Sequence, residues 1–159
     1  MPVVNNSLGR VAGEIAKITD GQQIEAFFNS EASASLSFGS VAVKDSAKSG
    51  AGKLPSAPGD KVLGIVVREV RQGDVNGDAD VDAGKVGSVM RMGYITVFCA
   101  AGTPVDGAPV YYRYVADGAK LPGMIETAAV QDKVIELEGA TFNGTVDADG
   151  LVEIRVNLQ

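Results

Sequence analysis

The chain has 159 residues, 45% hydrophobic and 21% charged, which is enough for one buried core without disulfide bonds or metal ions. Its formal net charge of -6 argues against a nucleic-acid-binding protein, because contact with phosphates requires a positive surface. The absence of histidine removes the commonest general base and the commonest metal ligand. We therefore predict no catalytic residue, no metal site and no cofactor.

The N-terminal segment predicts an extended arm over residues 1–12, and residues 13–159 predict a single β domain. Val3, Val4 and Leu8 would have no core to join within an arm, so they are the predicted protein-interface residues. The segment lacks a basic stretch followed by a continuous apolar one, and no apolar run approaches the roughly 20 residues needed to span a bilayer. We expect a protein that is made in a cytoplasm.

The region 13–34 has an ambiguous pattern. Its apolar residues recur at helical spacing, but Asp20 and Gly21 interrupt them, which favours two short elements over one helix. A strand–turn–strand interpretation fits the same residues nearly as well. Phe27 and Phe28 are predicted core residues.

Two strands separated by a loop are predicted next. Residues 36–44 have the composition of a strand with a kink or bulge at Gly39. Residues 45–60 are rich in Ser, Gly and Pro and predict a surface loop, whose GAGK sequence lacks the spacing glycine and the hydroxyl of a phosphate-binding loop. Residues 61–71 are almost continuously apolar at their start, which predicts a central strand covered on both faces.

The segment 72–84 is acidic, with carboxylate or amide side chains at alternate positions. They are Asp74, Asn76, Asp78, Asp80 and Asp82. Calcium-binding loops have this spacing, but Ala79 stands where such a loop needs glycine, and Lys85 stands where it needs a bidentate carboxylate. We favour an acidic, solvated hairpin tip, and a weak calcium site is the alternative.

The central region predicts three strands rich in β-branched and aromatic residues. Residues 86–92 and 94–100 form the first two, with Gly93 between them, and residues 109–115 form the third after a turn rich in Gly, Pro and Asp. Cys99 lies in the second run. Without a histidine to activate its thiol, it is predicted to be a small buried apolar residue.

The C-terminal region predicts a strand at 130–138 and then a closing hairpin. Residues 141–146 and 151–158 flank an Asp-Ala-Asp-Gly connection. Apolar residues of the last strand alternate with polar ones such as Glu153, which predicts one buried and one solvated face. Eight to ten short strands in all predict an all-β, mainly antiparallel, single-domain fold: a β-barrel, a sandwich or a jelly-roll-like fold with at most one or two short helices.

The segments also occur in a recognisable order. The arm is followed by FGSVAV, LGIVV, VMRMGYITV, GAPVY and ADG, and the hairpin closes the chain. This order, over most of residues 30–159, resembles the structural cement, or capsid decoration, proteins of tailed bacteriophages. The acidic insertion at 74–82 departs from that family.

The resemblance implies a non-enzymatic protein on the outer capsid surface of a virion. It would clamp neighbouring subunits of the major capsid protein and associate with itself, as a homodimer rather than a homotrimer, without contacting nucleic acid or membrane. The arm and the loops 46–58 and 74–82 are the candidate contacts. The alternative function is a calcium-dependent or carbohydrate-binding surface adhesion module. Trp is absent, and only Tyr112 and Tyr114 would share one strand face, so any sugar platform would be small.

Overall fold

The computed structural model describes residues 11–69 and 80–158. Within these ranges the chain forms strands and turns but no helix, and hence no helix that could cross a membrane. The strands are β1 Ile15–Lys17, β2 Gln23–Asn29, β3 Leu36–Ser37, β4 Val41–Lys44, β5 Ala51–Lys53, β6 Val62–Val67, β7 Asp80–Val81, β8 Val86–Ala101, β9 Pro109–Arg113, β10 Ile125–Glu126, β11 Val134–Phe142 and β12 Leu151–Asn157.

Strand β8 is the element around which the others are arranged. Its N-terminal half pairs with β2 and β6, and its C-terminal half pairs with β12 and β10. The order β8-β2-β5-β4-β6 returns to β8, and so does the order β8-β12-β11-β9-β10. The hydrogen-bonded sheet therefore closes twice along one strand, which pairs strand edges that an open sheet would expose. The predicted all-β, single-domain fold is confirmed in its barrel form.

The closed sheet encloses two groups of buried side chains. The larger group includes Ile95 and Phe142, and the smaller includes Phe27, Leu36 and Val89. All five side chains have 2% or less of their surface exposed, so the centre of each group is removed from water. Burial on this scale is the main favourable contribution to folding.

Strand β6 contributes to both cores. Ile65 and Val67 pack in the larger group, and Leu63 and Val66 pack in the smaller. The alternation of side chains between the two faces of a strand accounts for Ile65, Val66 and Val67, whereas Leu63 departs from it where the pairing with β4 shifts register between Ala42 and Val43. The prediction of a central strand covered on both faces is confirmed at Val62–Val67.

The predicted break at Gly93 is wrong, because Val86–Ala101 is one strand of 16 residues. Gly93 has a φ of 139°, and the pairing with β2 shifts register beside it, between Gln23 and Ile24. A glycine can take such a backbone conformation without leaving the sheet. Gly93, which the sequence suggested as the end of one strand, instead marks a local irregularity inside a continuous strand.

The ambiguous region 13–34 forms β1 and β2, so the strand–turn–strand interpretation is correct and the helical one is wrong. Phe27 is buried as predicted, but Phe28 is 38% exposed.

The predicted loop 45–60 contains β5, which pairs with β4 and with β2. Its glycine and lysine residues have low β propensity, so the strand was not recognisable from the sequence and forms because of its tertiary pairing.

The closing hairpin is present with shifted bounds. One strand, Val134–Phe142, replaces the two predicted at 130–138 and 141–146, and it pairs with Leu151–Asn157. The alternation in β12 is broken at Glu153, which is 8% exposed instead of solvated.

Candidate docking surface

The candidate functional surface consists of apolar side chains that the closed sheet leaves exposed. On the described residues, the large apolar side chains with more than a third of their surface exposed are Val11, Ile18, Ile24, Phe28, Val86, Phe98, Val105, Val115, Leu121 and Val130. Scattered single residues of this kind are normal on any protein. Two groups of them lie on segments that backbone hydrogen bonds join, and these groups are the candidates for docking another protein.

The first group lies on β2 and β8, and we call it the β2 strip. It comprises Ile24, Ala26 and Phe28 on one face of β2, and Val86, which is directly opposite Phe28 in the ladder. Cross-strand partners project to the same side of a sheet, so these side chains form one surface. Ile24, Phe28 and Val86 are 39%, 38% and 57% exposed.

In the part of the chain that the structure describes, some backbone groups beside the β2 strip have no strand partner. Asn29 donates its N–H to Lys85 next to β8, whereas Phe28 donates its N–H the other way, to Gly50. Because backbone groups of successive strand residues point to opposite edges, those of Ile24 and Ala26 point away from β8. Of the residues of β2, only Phe28 and Asn29 pair with β5, so within the described ranges no strand covers this edge from Gln23 to Phe27.

The second group lies in the loops that follow β9 and β10, and comprises Val115, Leu121 and Val130. A buried ion pair fixes these loops: Arg113 Nη2 lies 2.8 Å from Glu126 Oε1, and both residues are 2% exposed. The Nη1 group of Arg113 also donates a hydrogen bond of 3.2 Å to the carbonyl of Val115. The loop from which Val115 projects is therefore held by a charged group inside the barrel.

A groove of about 600 Å³ lies between the two parts of the sheet, with lysine residues on one wall and glutamate residues on the other. Asp60 lines it and accepts hydrogen bonds from the backbone N–H groups of Ser56, at 2.7 Å, and Ala57, at 2.9 Å. Burial raises the pKa of Asp60, but these hydrogen bonds outweigh it and hold the pKa below its ordinary value. The Asp60 carboxylate is thus bound by backbone N–H groups of its own turn and stabilises that turn.

The residues predicted at the interface, Val3, Val4 and Leu8, lie outside the described residues, as does the acidic segment as far as residue 79. Of the predicted calcium-loop residues, Asp80 lies in β7, and Asp82 accepts a hydrogen bond of 3.1 Å from the Ser35 hydroxyl. Across 11–69 and 80–158, three or more potential metal ligands nowhere come together.

Two predictions about single side chains can be compared with the structure. Cys99 is 9% exposed and packs in the larger core, as predicted, and burial raises the pKa of its thiol. Tyr112 lies in β9 and Tyr114 follows the end of that strand, and they are 1% and 8% exposed. They form part of the interior and cannot serve as an exposed sugar-binding platform.

The sequence reasoning did not identify the β2 strip. Ile24, Ala26 and Phe28 stand at every second position, as on one face of a strand, but the helical spacing in the same segment obscured this pattern. The free edge has no sequence signal, because whether a strand is covered depends on where β5 ends.

Comparisons with known proteins agree with this architecture. The family model for the structural cement protein (E217 gp24/Pam3 gp6) matches residues 4–157, almost the whole chain. A chain in the solved structure of the capsid of Myoviridae Phage XM1 is similar in fold, with a TM-score of 0.72 and 22% sequence identity over 99% of this chain and 98% of that chain. No curated protein matches the sequence. The chain therefore belongs to the structural cement protein family of phages, and its role is that of a cement or decoration protein of the phage capsid.

Proposed function

We propose that the protein binds the outer surface of the phage shell and clamps neighbouring subunits of the major capsid protein. Membership of the cement family supports a role in the capsid, and the fold supplies what a clamp requires. The sheet closes twice on itself, so the body is rigid, and it still presents apolar side chains on the β2 strip. A clamp of this kind needs complementary contact surfaces and no chemistry.

The single observation that carries the proposal is that exposed apolar side chains lie on regular, well-anchored elements. Ile24 and Phe28 are on a strand whose opposite face holds Phe27 in the core. Side chains placed in this way lose little conformational freedom on binding, which lowers the entropic cost of association.

The arm and the oligomer belong to the same proposal. Val3, Val4 and Leu8 contact a partner protein, and the protein acts as a homodimer, since a two-fold pair can grip two subunits symmetrically. The protein works by binding and not by catalysis, which is supported by the family and by the buried thiol of Cys99.

Electron microscopy of purified shells with and without the protein tests the proposal. We expect additional density outside the shell, bridging adjacent capsid subunits. Density on the inner surface would contradict it, and so would density that touches only one subunit.

Deletion of residues 2–11 tests the arm separately. We expect the deletion variant to keep its circular dichroism spectrum and to stop co-sedimenting with shells. If the deletion variant co-sediments with shells as well as the parent does, the arm is not a required contact. The clamping role is then tested by electron microscopy alone.

A further inference from the structure

We infer that the open edge of β2 binds an extended segment of the capsid shell protein by strand addition, with the backbone groups of Ile24 and Ala26 forming the new ladder. This inference rests on the proposed function and names the way in which the partner is held. Three features of the edge lead to it: the direction of the backbone groups, the exposure of the side chains and the poor fit of a second copy.

The edge has the geometry that strand addition needs. Phe28 donates its N–H to Gly50, on the side away from β8, and the N–H and C=O groups of Ala26 and Ile24 point the same way. Five residues, from Gln23 to Phe27, span about 16 Å at 3.3 Å per residue, which is a typical strand length. An incoming strand would satisfy these groups and extend the sheet.

The side chains beside the edge determine what kind of strand fits. Ile24 and Phe28 project to one side with the small Ala26 between them, and all three are exposed. A partner strand with apolar side chains at alternate positions would cover them. On the other face Glu25 is exposed and lies near Arg91, with 3.7 Å between Oε1 and Nε. The fitting segment is therefore extended, apolar on one face and polar on the other.

Pairing of two copies through this edge is disfavoured by the residues themselves. A two-fold pair centred on Ala26 needs the N–H of Phe28, which is already donated to Gly50. A two-fold pair centred on Glu25 places two carboxylates directly opposite each other, which destabilises a ladder. These arguments favour a strand from a different protein, and the shell is the partner that membership of a cement family provides.

Amide hydrogen exchange at residue resolution tests the inference, with the free protein and shell-bound protein compared. The N–H groups of Glu25 and Phe27 point towards β8, so they should be protected in both states and serve as internal controls. Those of Ile24 and Ala26 should exchange fast in the free protein and slow by about tenfold or more on shells. Fast exchange at both residues in shell-bound protein would overturn the inference while leaving the proposed function intact.

Other occupants give different patterns. Protection of Ala26 in the free protein that rises with concentration would identify a second copy, and protection in the free protein that is independent of concentration and disappears when residues 2–11 are deleted would identify the arm. Either result overturns the inference. If the protein does not co-sediment with shells at all, the proposed function fails first and the inference fails with it.

A pair of variants gives an independent readout. Ala26→Pro removes the outward N–H and places a ring at the edge, whereas Ala26→Val keeps the donor and suits a strand. We expect the proline variant to bind shells at least about tenfold more weakly, a change of about 1.4 kcal/mol, and the valine variant to bind like the parent. Equal binding of the two folded variants would overturn the inference. If the proline variant does not fold, the exchange experiment decides alone.

Discussion

At the scale of single residues, the buried pair of Arg113 and Glu126 is the most costly feature to disturb. Removing two charges from water is expensive, and the pair offsets that cost by three hydrogen bonds from the guanidinium to the carboxylate. Neither residue stood out in the sequence, because Arg and Glu side chains are usually solvated.

We expect Glu126→Gln to destabilise the protein by about 3–5 kcal/mol, because it leaves a buried guanidinium without a counter-charge. Urea unfolding measures the change. The matched control is Lys133→Ala, which removes an exposed pair with Asp117, 2.9 Å long, and should cost about 0–1 kcal/mol. Similar losses for the two variants would contradict the assignment of Arg113 as a buried charge.

Alanine substitution at three glycines distinguishes the cost of backbone strain from the cost of a steric clash. Gly39 has a φ of 80°, and a Cβ there would lie 2.8 Å from the backbone N of Gly13. Gly107 has a φ of 79° and no atom within 4 Å of such a Cβ, and Gly59 has open space and no positive φ. We expect Ala to be nearly neutral at Gly59, to cost about 1–2 kcal/mol at Gly107 and to cost more at Gly39, as measured by thermal unfolding.

Asp60 should give the protein a pH-dependent contribution at the acid end. Its pKa is lowered in the folded state, so its stabilising effect is present above the unfolded value of about 3.9 and is lost as the pH falls through the folded value. Asp60→Asn should therefore be less stable than the parent at pH 7, with the difference shrinking below about pH 4. Urea titrations across pH 2–7 measure this, and a difference that is constant with pH would refute it.

At the scale of elements, β8 links the two cores. Phe27 belongs to the smaller core and Phe142 to the larger, and β8 contributes Val89 to the first and Ile95 to the second. If packing is lost in one core, β8 is destabilised, and the other core loses the support of that strand. The two halves should therefore unfold together.

We expect Phe27→Ala and Phe142→Ala each to cost about 3–5 kcal/mol, because both rings are fully buried. Each variant should still unfold in one transition, seen at the same midpoint by circular dichroism and tyrosine fluorescence. Phe98→Ala, at a ring that is 46% exposed, is the control and should cost much less. Two separate transitions in one of the core variants would show that the cores unfold independently.

The element scale also explains which strands were predictable. Strand β6 was recognisable because burial on both faces requires an apolar run, and β12 because alternate burial leaves a period of two. Strand β5 was not, because the Ala-Gly-Lys of Ala51–Lys53 has low β propensity and is held by β4 and β2 on its two sides.

At the scale of the whole molecule, the protein is a closed sheet whose candidate contacts are the β2 strip and the edge of β2 that no strand of the described ranges covers. A ligand that binds only the folded, assembled form stabilises that form by mass action. A clamp across capsid subunits should thus raise the temperature at which shells come apart.

Calorimetry of shells with and without bound protein tests this expectation. We expect the disassembly transition to move upwards with occupancy and to return when the protein is removed. Bound protein that leaves the transition unchanged would argue for decoration without clamping.

The sequence by itself determined the fold class, the buried state of Cys99 and the family. Turn residues and alternating apolar positions are local properties of the chain, and the order of such segments is characteristic of phage cement proteins. It also predicted the interface residues Val3, Val4 and Leu8, whose role stays a prediction.

Only the tertiary structure decided that β8 is continuous, that Arg113 and Glu126 meet in the interior, and that no strand of the described ranges covers the edge at Ala26. Each of these depends on residues far apart in the sequence. Distant segments meet when the sheet closes. Those meetings decide whether a strand edge is covered, which residue pairs with a buried charge and which atoms surround a glycine. Local composition does not encode these contacts.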